Sequence, residues 1–88
     1  MYLSKKWKLL IMLAEIFTKN HCPYCVKAKY LLEKHGIEYT EIDAVENRDS
    51  LIERVTSMTG SPPKTVPQIF FENEYVGGFS ELEKKLGT

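Results

Sequence analysis

Gly60-Ser61-Pro62-Pro63-Lys64 is the stretch that most restricts how this chain can fold. Two adjacent prolines fix φ and remove backbone donors, so neither a helix interior nor a central strand runs through it. It divides the chain into two blocks with different periodicities. In the first block strand and helix alternate. Ala14–Thr18, with Ile16 and Phe17, predicts a short strand. Tyr24–His35 predicts a helix: Ala28, Leu31, Leu32 and His35 fall at i, i+3, i+4 and i+7, and Gly36 stands where a C-terminal cap belongs. Glu38–Ile42 predicts a second strand. Asn47 or Asp49 can cap a second helix with Leu51, Val55 and Met58 on one face. In the second block, Gln68–Phe71 and Tyr75-Val76 flank the turn Glu72-Asn73 as a hairpin that Gly77-Gly78 ends. Ser80 then heads a short helix, with Glu83 three residues on to complete a capping box. The order is βαβαββα. A strand–helix–strand opening implies a right-handed parallel crossover, and the hairpin adds antiparallel strands. The expected class is α/β: a four-stranded mixed sheet flanked by helices.

At 88 residues there is room for one domain. The chain is 43% hydrophobic and 27% charged, which separates it from disordered sequences. Its 12 basic and 12 acidic side chains cancel, so no net field draws it to nucleic acid or anionic lipid, and neither is expected as a partner. No apolar run approaches the ~20 residues of a membrane span. Two cysteines are too few for a disulfide-rich secreted scaffold. Lys5-Lys6-Trp7-Lys8 ahead of Leu9–Ala14 has the order of a secretory signal, but the apolar run is short, and cleavage after Ala14 would remove the start of the first strand. Met12 stands just before that strand. Residues 1–11 are therefore an expected extension of unknown role, Trp7 included, and residues 12–88 the domain.

Cys22-Pro23-Tyr24-Cys25 lies between the first strand and the first helix. Proline is favoured at the first helical position, which makes Cys22 the N-cap and Cys25 the third helical residue. The Cys22 sulfur then faces the free N–H groups of Tyr24 and Cys25 and the positive end of the helix dipole. Both favour thiolate over thiol, which lowers a cysteine pKa from about 8.5 toward ~3.5–7.5. Cys22 is the expected nucleophile, attacking a disulfide sulfur to make a mixed disulfide. Cys25, one turn into the helix, is the expected resolving thiol; a small thiol from solution could also resolve it. Two other readings compete. His21, Cys22, Cys25 and His35 could supply four zinc ligands, although the spacing fits no ordinary finger, and no metal is expected. A purely structural disulfide three residues apart would close a tiny loop and stabilise little.

Two further segments carry binding chemistry. In Thr65-Val66-Pro67-Gln68, a cis Val66–Pro67 bond would leave the Val66 N–H and C=O free for an extended peptide-like ligand; an ordinary trans proline at a strand edge is the alternative. In Gly77-Gly78-Phe79-Ser80-Glu81, the glycines permit close backbone approach and a helix N-terminus offers N–H groups to a carboxylate; a hairpin exit with a routine cap is the alternative. Lys19, just before the cysteine motif, can neutralise a ligand carboxylate or favour the Cys22 thiolate. Lys27, Lys29 and Lys34 are read as a solvated helix face, and Phe17, Phe70, Phe71 and Tyr39 as core.

Taken together, Phe17-Thr18-Lys19, Cys22-Pro23-Tyr24-Cys25, Lys27-Ala28-Lys29, Thr65-Val66-Pro67-Gln68-Ile69-Phe70 and Gly77-Gly78 resemble a dithiol glutaredoxin from about Ala14 to Leu86. The resemblance implies a thioredoxin fold, a cis Val66–Pro67 bond and glutathione as co-substrate lying across the helix N-terminus. It implies Lys19 at the glycine carboxylate and Tyr24 beside the tripeptide. Thr65, Val66 and Pro67 would lie along its cysteine, and Gly78, Phe79, Ser80 and Glu81 at the γ-glutamyl end. It further implies a monomeric, cytoplasmic, glutathione-dependent thiol–disulfide oxidoreductase. Its clients would be disulfide-bearing or glutathionylated proteins, with ribonucleotide reductase a family-level example. The alternatives are a redoxin reduced by a thioredoxin-reductase-type flavoenzyme, and a module in which two chains bridge an iron–sulfur cluster through Cys22 and glutathione. The chain departs from the family in its first eleven residues, in the two-proline loop Ser61–Lys64, and in Glu81 where the family often has Asp.

Overall fold

A computed structural model describes residues 13–87. The expected extension at 1–11 lies outside them. The elements are β1 (Leu13–Thr18), α1 (Pro23–Lys34), β2 (Glu38–Asp43), α2 (Arg48–Thr59), β3 (Gln68–Phe71), β4 (Glu74–Gly77) and α3 (Phe79–Leu86). This is the βαβαββα order expected, with ends shifted by a residue or so. The sheet order is β2-β1-β3-β4. β1 runs parallel to β2 across the α1 crossover, and antiparallel pairing joins β1 to β3 and β3 to β4.

Strand alternation divides the core between the two faces of the sheet. Ala14 and Ile16 of β1 and Ile69 and Phe71 of β3 pack with Ala28, Leu31 and Leu32 of α1 and Leu82 of α3. Phe17 of β1 and Phe70 of β3 face the other way, onto Leu51 and Val55 of α2. All four residues of β3 are buried, as a central strand covered on both faces requires. The Arg54 guanidinium lies 3.9 Å over the Phe70 ring and donates to Glu15 and Asn73, so one α2 side chain ties that helix to β1, β3 and the hairpin turn. Among the described residues no helix is long and apolar enough to cross a membrane.

Several local expectations are corrected. The last helix does not start at Ser80 with a Ser80–Glu83 box. It starts at Phe79 with Gly78 as N-cap, and the Glu81 carboxylate accepts the Gly78 N–H at 2.9 Å. The reason is that β4 runs through Gly77, so the helix begins at once and the third helical residue is Glu81. At α2 the N-cap is Asn47, yet its side chain does not cap the helix and donates instead to the Asp43 carbonyl. Asp43 holds that turn, its carboxylate accepting the N–H groups of Val45 and Glu46. Met58 stands on the face expected but is 46% exposed, whereas Leu51 and Val55 are buried. His35 is the C-cap of α1 and exposed, because the helix ends at Lys34 and Ile37 takes the buried place beyond it. Lys29 is not simply solvated: it is half-buried and pairs with Glu41.

Candidate active site

The turn between β1 and α1 sets the chemistry. His21 has φ +57°, the left-handed region, which turns the chain so that Cys22 enters the helix from extended backbone (φ −119°, ψ 98°). Pro23 follows at the head of the helix, where its missing N–H costs no hydrogen bond. The Cys22 sulfur accepts the Cys25 N–H at 3.2 Å; of the two N–H groups expected to face it, Cys25's is the one that reaches it. Cys22 and Cys25 are disulfide-bonded, with Cα atoms 5.2 Å apart. The pair is asymmetric. Cys25 is 2% exposed under the helix, whereas Cys22 is partly open to solvent. On reduction, only Cys22 can meet a large disulfide, and its thiolate sits at the positive end of α1.

The Val66–Pro67 peptide is cis. The Val66 carbonyl oxygen lies 3.9 Å from the Cys22 sulfur, so this loop forms one wall beside the reacting atom. Two clefts meet at that wall. One is lined by Tyr24, Thr65, Val66, Pro67, Gly78, Phe79, Ser80 and Glu81. In it the Tyr24 and Phe79 rings pack 5.7 Å apart, with the Lys27 ammonium 5.1 Å above Tyr24. The structure thus brings together every expected binding residue except Lys19. Lys19 belongs to the second cleft, with Thr65 and Val66 as the shared wall and Arg48 and Lys64 alongside. That cleft is lined by three cations and no carboxylate. Arg48 and Lys64 were not singled out in the sequence. Nothing in their spacing shows that the first residue of α2 and the end of the proline loop return beside Lys19.

Glycine is required where α3 approaches this loop. Gly77 has φ +119°, and a Cβ there would fall 2.9 Å from Glu81 Cγ, whereas a Cβ on Gly78 would make only ordinary contacts, 3.4 Å from Glu81 Oε1 and 3.5 Å from the Pro67 carbonyl oxygen. Glu81 was expected to bind ligand. In the structure one of its carboxylate oxygens is engaged by the Gly78 N–H, so it orders the start of α3 at the cleft rim.

On the far side of the disulfide, a third groove is lined by Cys22, Cys25, Thr18, Lys29 and Glu41 among others. One Glu41 oxygen accepts from Thr18 Oγ1 at 2.7 Å and from Lys29 Nζ at 3.0 Å. The Thr18 hydrogen bond, then that of Lys29, holds the Glu41 carboxyl below the usual glutamate range. The tetrad that zinc would need does not converge. His35 caps the opposite end of α1 from Cys22, roughly 20 Å away by helix rise.

Comparison with known proteins gives a consistent result. A profile of the glutaredoxin family matches residues 14–76. Glutaredoxin 3 of Escherichia coli is 39% identical over 71 residues, covering 77% of this chain and 78% of that protein. The hybrid peroxiredoxin hyPrx5 of Haemophilus influenzae is 42% identical over 69 residues, 78% of this chain, but the chain spans only 27% of that protein's length. Among solved structures, the buckwheat glutaredoxin–glutathione complex superposes with a TM-score of 0.69 at 26% identity, covering 97% of this chain and 78% of the other.

Proposed function

The chain belongs to the glutaredoxin family of thiol–disulfide oxidoreductases, and from that premise we propose that it uses glutathione to reduce protein–glutathione mixed disulfides and protein disulfides. The observation that carries this is the Cys22 sulfur at the head of α1, partly exposed, within reach of a backbone N–H and bonded to a buried partner. In deglutathionylation the Cys22 thiolate attacks the glutathione sulfur of the mixed disulfide. The Cys22–glutathione bond forms, and the client leaves as thiolate and takes up a proton. A second glutathione thiolate then attacks that bond, releasing oxidised glutathione and restoring the Cys22 thiolate. With a client disulfide, Cys22 attacks first and the Cys25 thiolate displaces the client, leaving the Cys22–Cys25 bridge, which two glutathiones reduce.

The two clefts beside Val66 support glutathione as co-substrate. The tripeptide carries a carboxylate at each end. Lys19, with Arg48 and Lys64, stands at one end of the double cleft, and the N–H groups at the start of α3 stand at the other. Tyr24 flanks its middle, and Val66 offers its backbone beside Cys22. The buckwheat relative's structure is a glutathione complex. We assign the work to a reducing, cytoplasmic setting, where glutathione supplies the electrons. The name of the Haemophilus relative makes a peroxiredoxin the client class to try first.

The test is turnover of cysteine–glutathione disulfide and of a protein disulfide, with glutathione and its reductase as the electron source. Cys22→Ser is expected to fall to the uncatalysed rate on both. Cys25→Ser is expected to keep most deglutathionylation and lose protein-disulfide reduction. Undiminished turnover by Cys22→Ser would overturn the assignment, and reduction by thioredoxin reductase in place of glutathione would move the chain to the other class of redoxin.

A further inference from the structure

Helix α1 has an apolar stripe that glutathione does not need. Cys22, Val26 and Tyr30 stand at i, i+4 and i+8, on one line down the helix. Val26 is 62% exposed and Tyr30 65% exposed. The inward face of the same helix is already filled by Ala28, Leu31 and Leu32, so these two side chains are not spare core. With Lys27, Leu31 and Phe79 they enclose a cleft of about 380 Å³ between α1 and the start of α3. Val26 also borders the groove that opens on Cys22, so the stripe begins at the reacting sulfur.

We infer that the Val26–Tyr30 stripe is the docking surface for the client polypeptide, taking apolar side chains that flank the client's reacting cysteine. This rests on the glutathione-dependent activity proposed above. The occupant follows from position. A client disulfide must place a sulfur on Cys22, and its neighbouring residues then pass within a few ångströms of Val26. By helix rise Val26 lies about 6 Å and Tyr30 about 12 Å along α1 from Cys22. An extended client advances about 3.3 Å per residue, and alternate residues share a face. Its second and fourth residues from the cysteine therefore come over Val26 and Tyr30. Glutathione itself has no apolar side chain to place there, and its two carboxylates are accommodated in the clefts beside Val66. A second copy of this chain fits poorly: five residues line the cleft, whereas a stable dimer uses ~20–30 a side.

The experiment compares two nonapeptides with a central cysteine, each oxidised to its symmetrical disulfide. They are identical except for leucine or serine at positions two and four residues from it on both sides. Cysteine–glutathione disulfide is the third substrate. The wild-type protein is expected to prefer the leucine peptide by about tenfold in kcat/KM, equivalent to roughly 1.4 kcal/mol. The double variant Val26→Gln, Tyr30→Gln changes exposed positions to a good helix former, so the fold is retained. It is expected to lose that preference while keeping wild-type rates on the serine peptide and the small disulfide. A wild type indifferent to the two peptides would overturn the inference. So would a variant slowed equally on all three substrates, or one that abolishes a wild-type dimer seen by sedimentation, which would give the stripe to a second copy. A wild type inactive on cysteine–glutathione disulfide would overturn the glutathione reading, and this one with it.

Discussion

Gly77 shows how much a single backbone angle decides. Its φ of +119° is open to glycine and strained for other residues, and the space a Cβ would take is filled by the Glu81 side chain. Gly77→Ala is expected to cost about 1–3 kcal/mol for the backbone strain, read as a lower urea midpoint. By pushing Glu81 off the Gly78 N–H it should also raise KM for glutathione mixed disulfides more than it lowers kcat. Unchanged stability and KM would show that the hairpin end tolerates a side chain. The glycine pair was legible in the sequence, and the structure makes Gly77 the one that must be glycine. The identity of the cap was not, because a shift of one residue in the end of β4 exchanges Ser80–Glu83 for Gly78–Glu81. For the cysteines the outcome is the reverse. Proline after Cys22 is a strictly local constraint, so the N-cap position of Cys22 and the covered position of Cys25 followed from four consecutive residues.

Between elements, the ion pair of Lys29 on α1 with Glu41 on β2, supported by Thr18 of β1, joins three segments beside the disulfide. The side chains are 28% and 43% exposed, so water screens the pair and its worth is about 0.2–1 kcal/mol. The Glu41 carboxyl is held below the ordinary glutamate value of 4.5, first by Thr18 and then by Lys29. The folded state therefore binds fewer protons here than the unfolded chain does. The stabilisation is present above pH 4.5 and is lost as pH falls through the lowered folded value. Glu41→Gln should thus be slightly less stable than wild type at pH 7, with the gap closing toward pH 3 in parallel denaturation curves. A gap that persists at pH 3 would show that packing, not charge, is at stake. Lys29 read alone is one of three lysines on a helix. Its partner lies twelve residues on, across a crossover, and only the parallel pairing of β1 with β2 brings them together.

For the molecule as a whole, Phe70 is the residue on which the α2 face depends. It is wholly buried, meets Phe17 edge-on at 5.9 Å, lies against Tyr75, and carries the Arg54 guanidinium. Phe70→Ala is expected to cost about 3–5 kcal/mol. A domain this small holds only ~5–10 kcal/mol in total, so the variant should be marginal or unfolded at 37 °C by circular dichroism. Met58→Ala, at a half-exposed position, should stay within about 0.5 kcal/mol of wild type. Equal losses in the two would contradict the burial that makes Phe70 core and leaves Met58 at the surface.

The amino-acid sequence alone determined what is local: the element order, the turn at the prolines, the helix start that exposes one sulfur and covers the other, and the family likeness carried by short motifs. Each depends on residues a few positions apart, where backbone geometry leaves few choices. Tertiary structure decided what depends on pairs distant in the chain. It set the strand order, placed Arg48 and Lys64 beside Lys19, engaged Glu41 with Lys29, and left Val26 and Tyr30 facing outward next to the disulfide. Periodicity reports which residues share a face of one element; which other element, if any, covers that face is settled only when the sheet and helices pack.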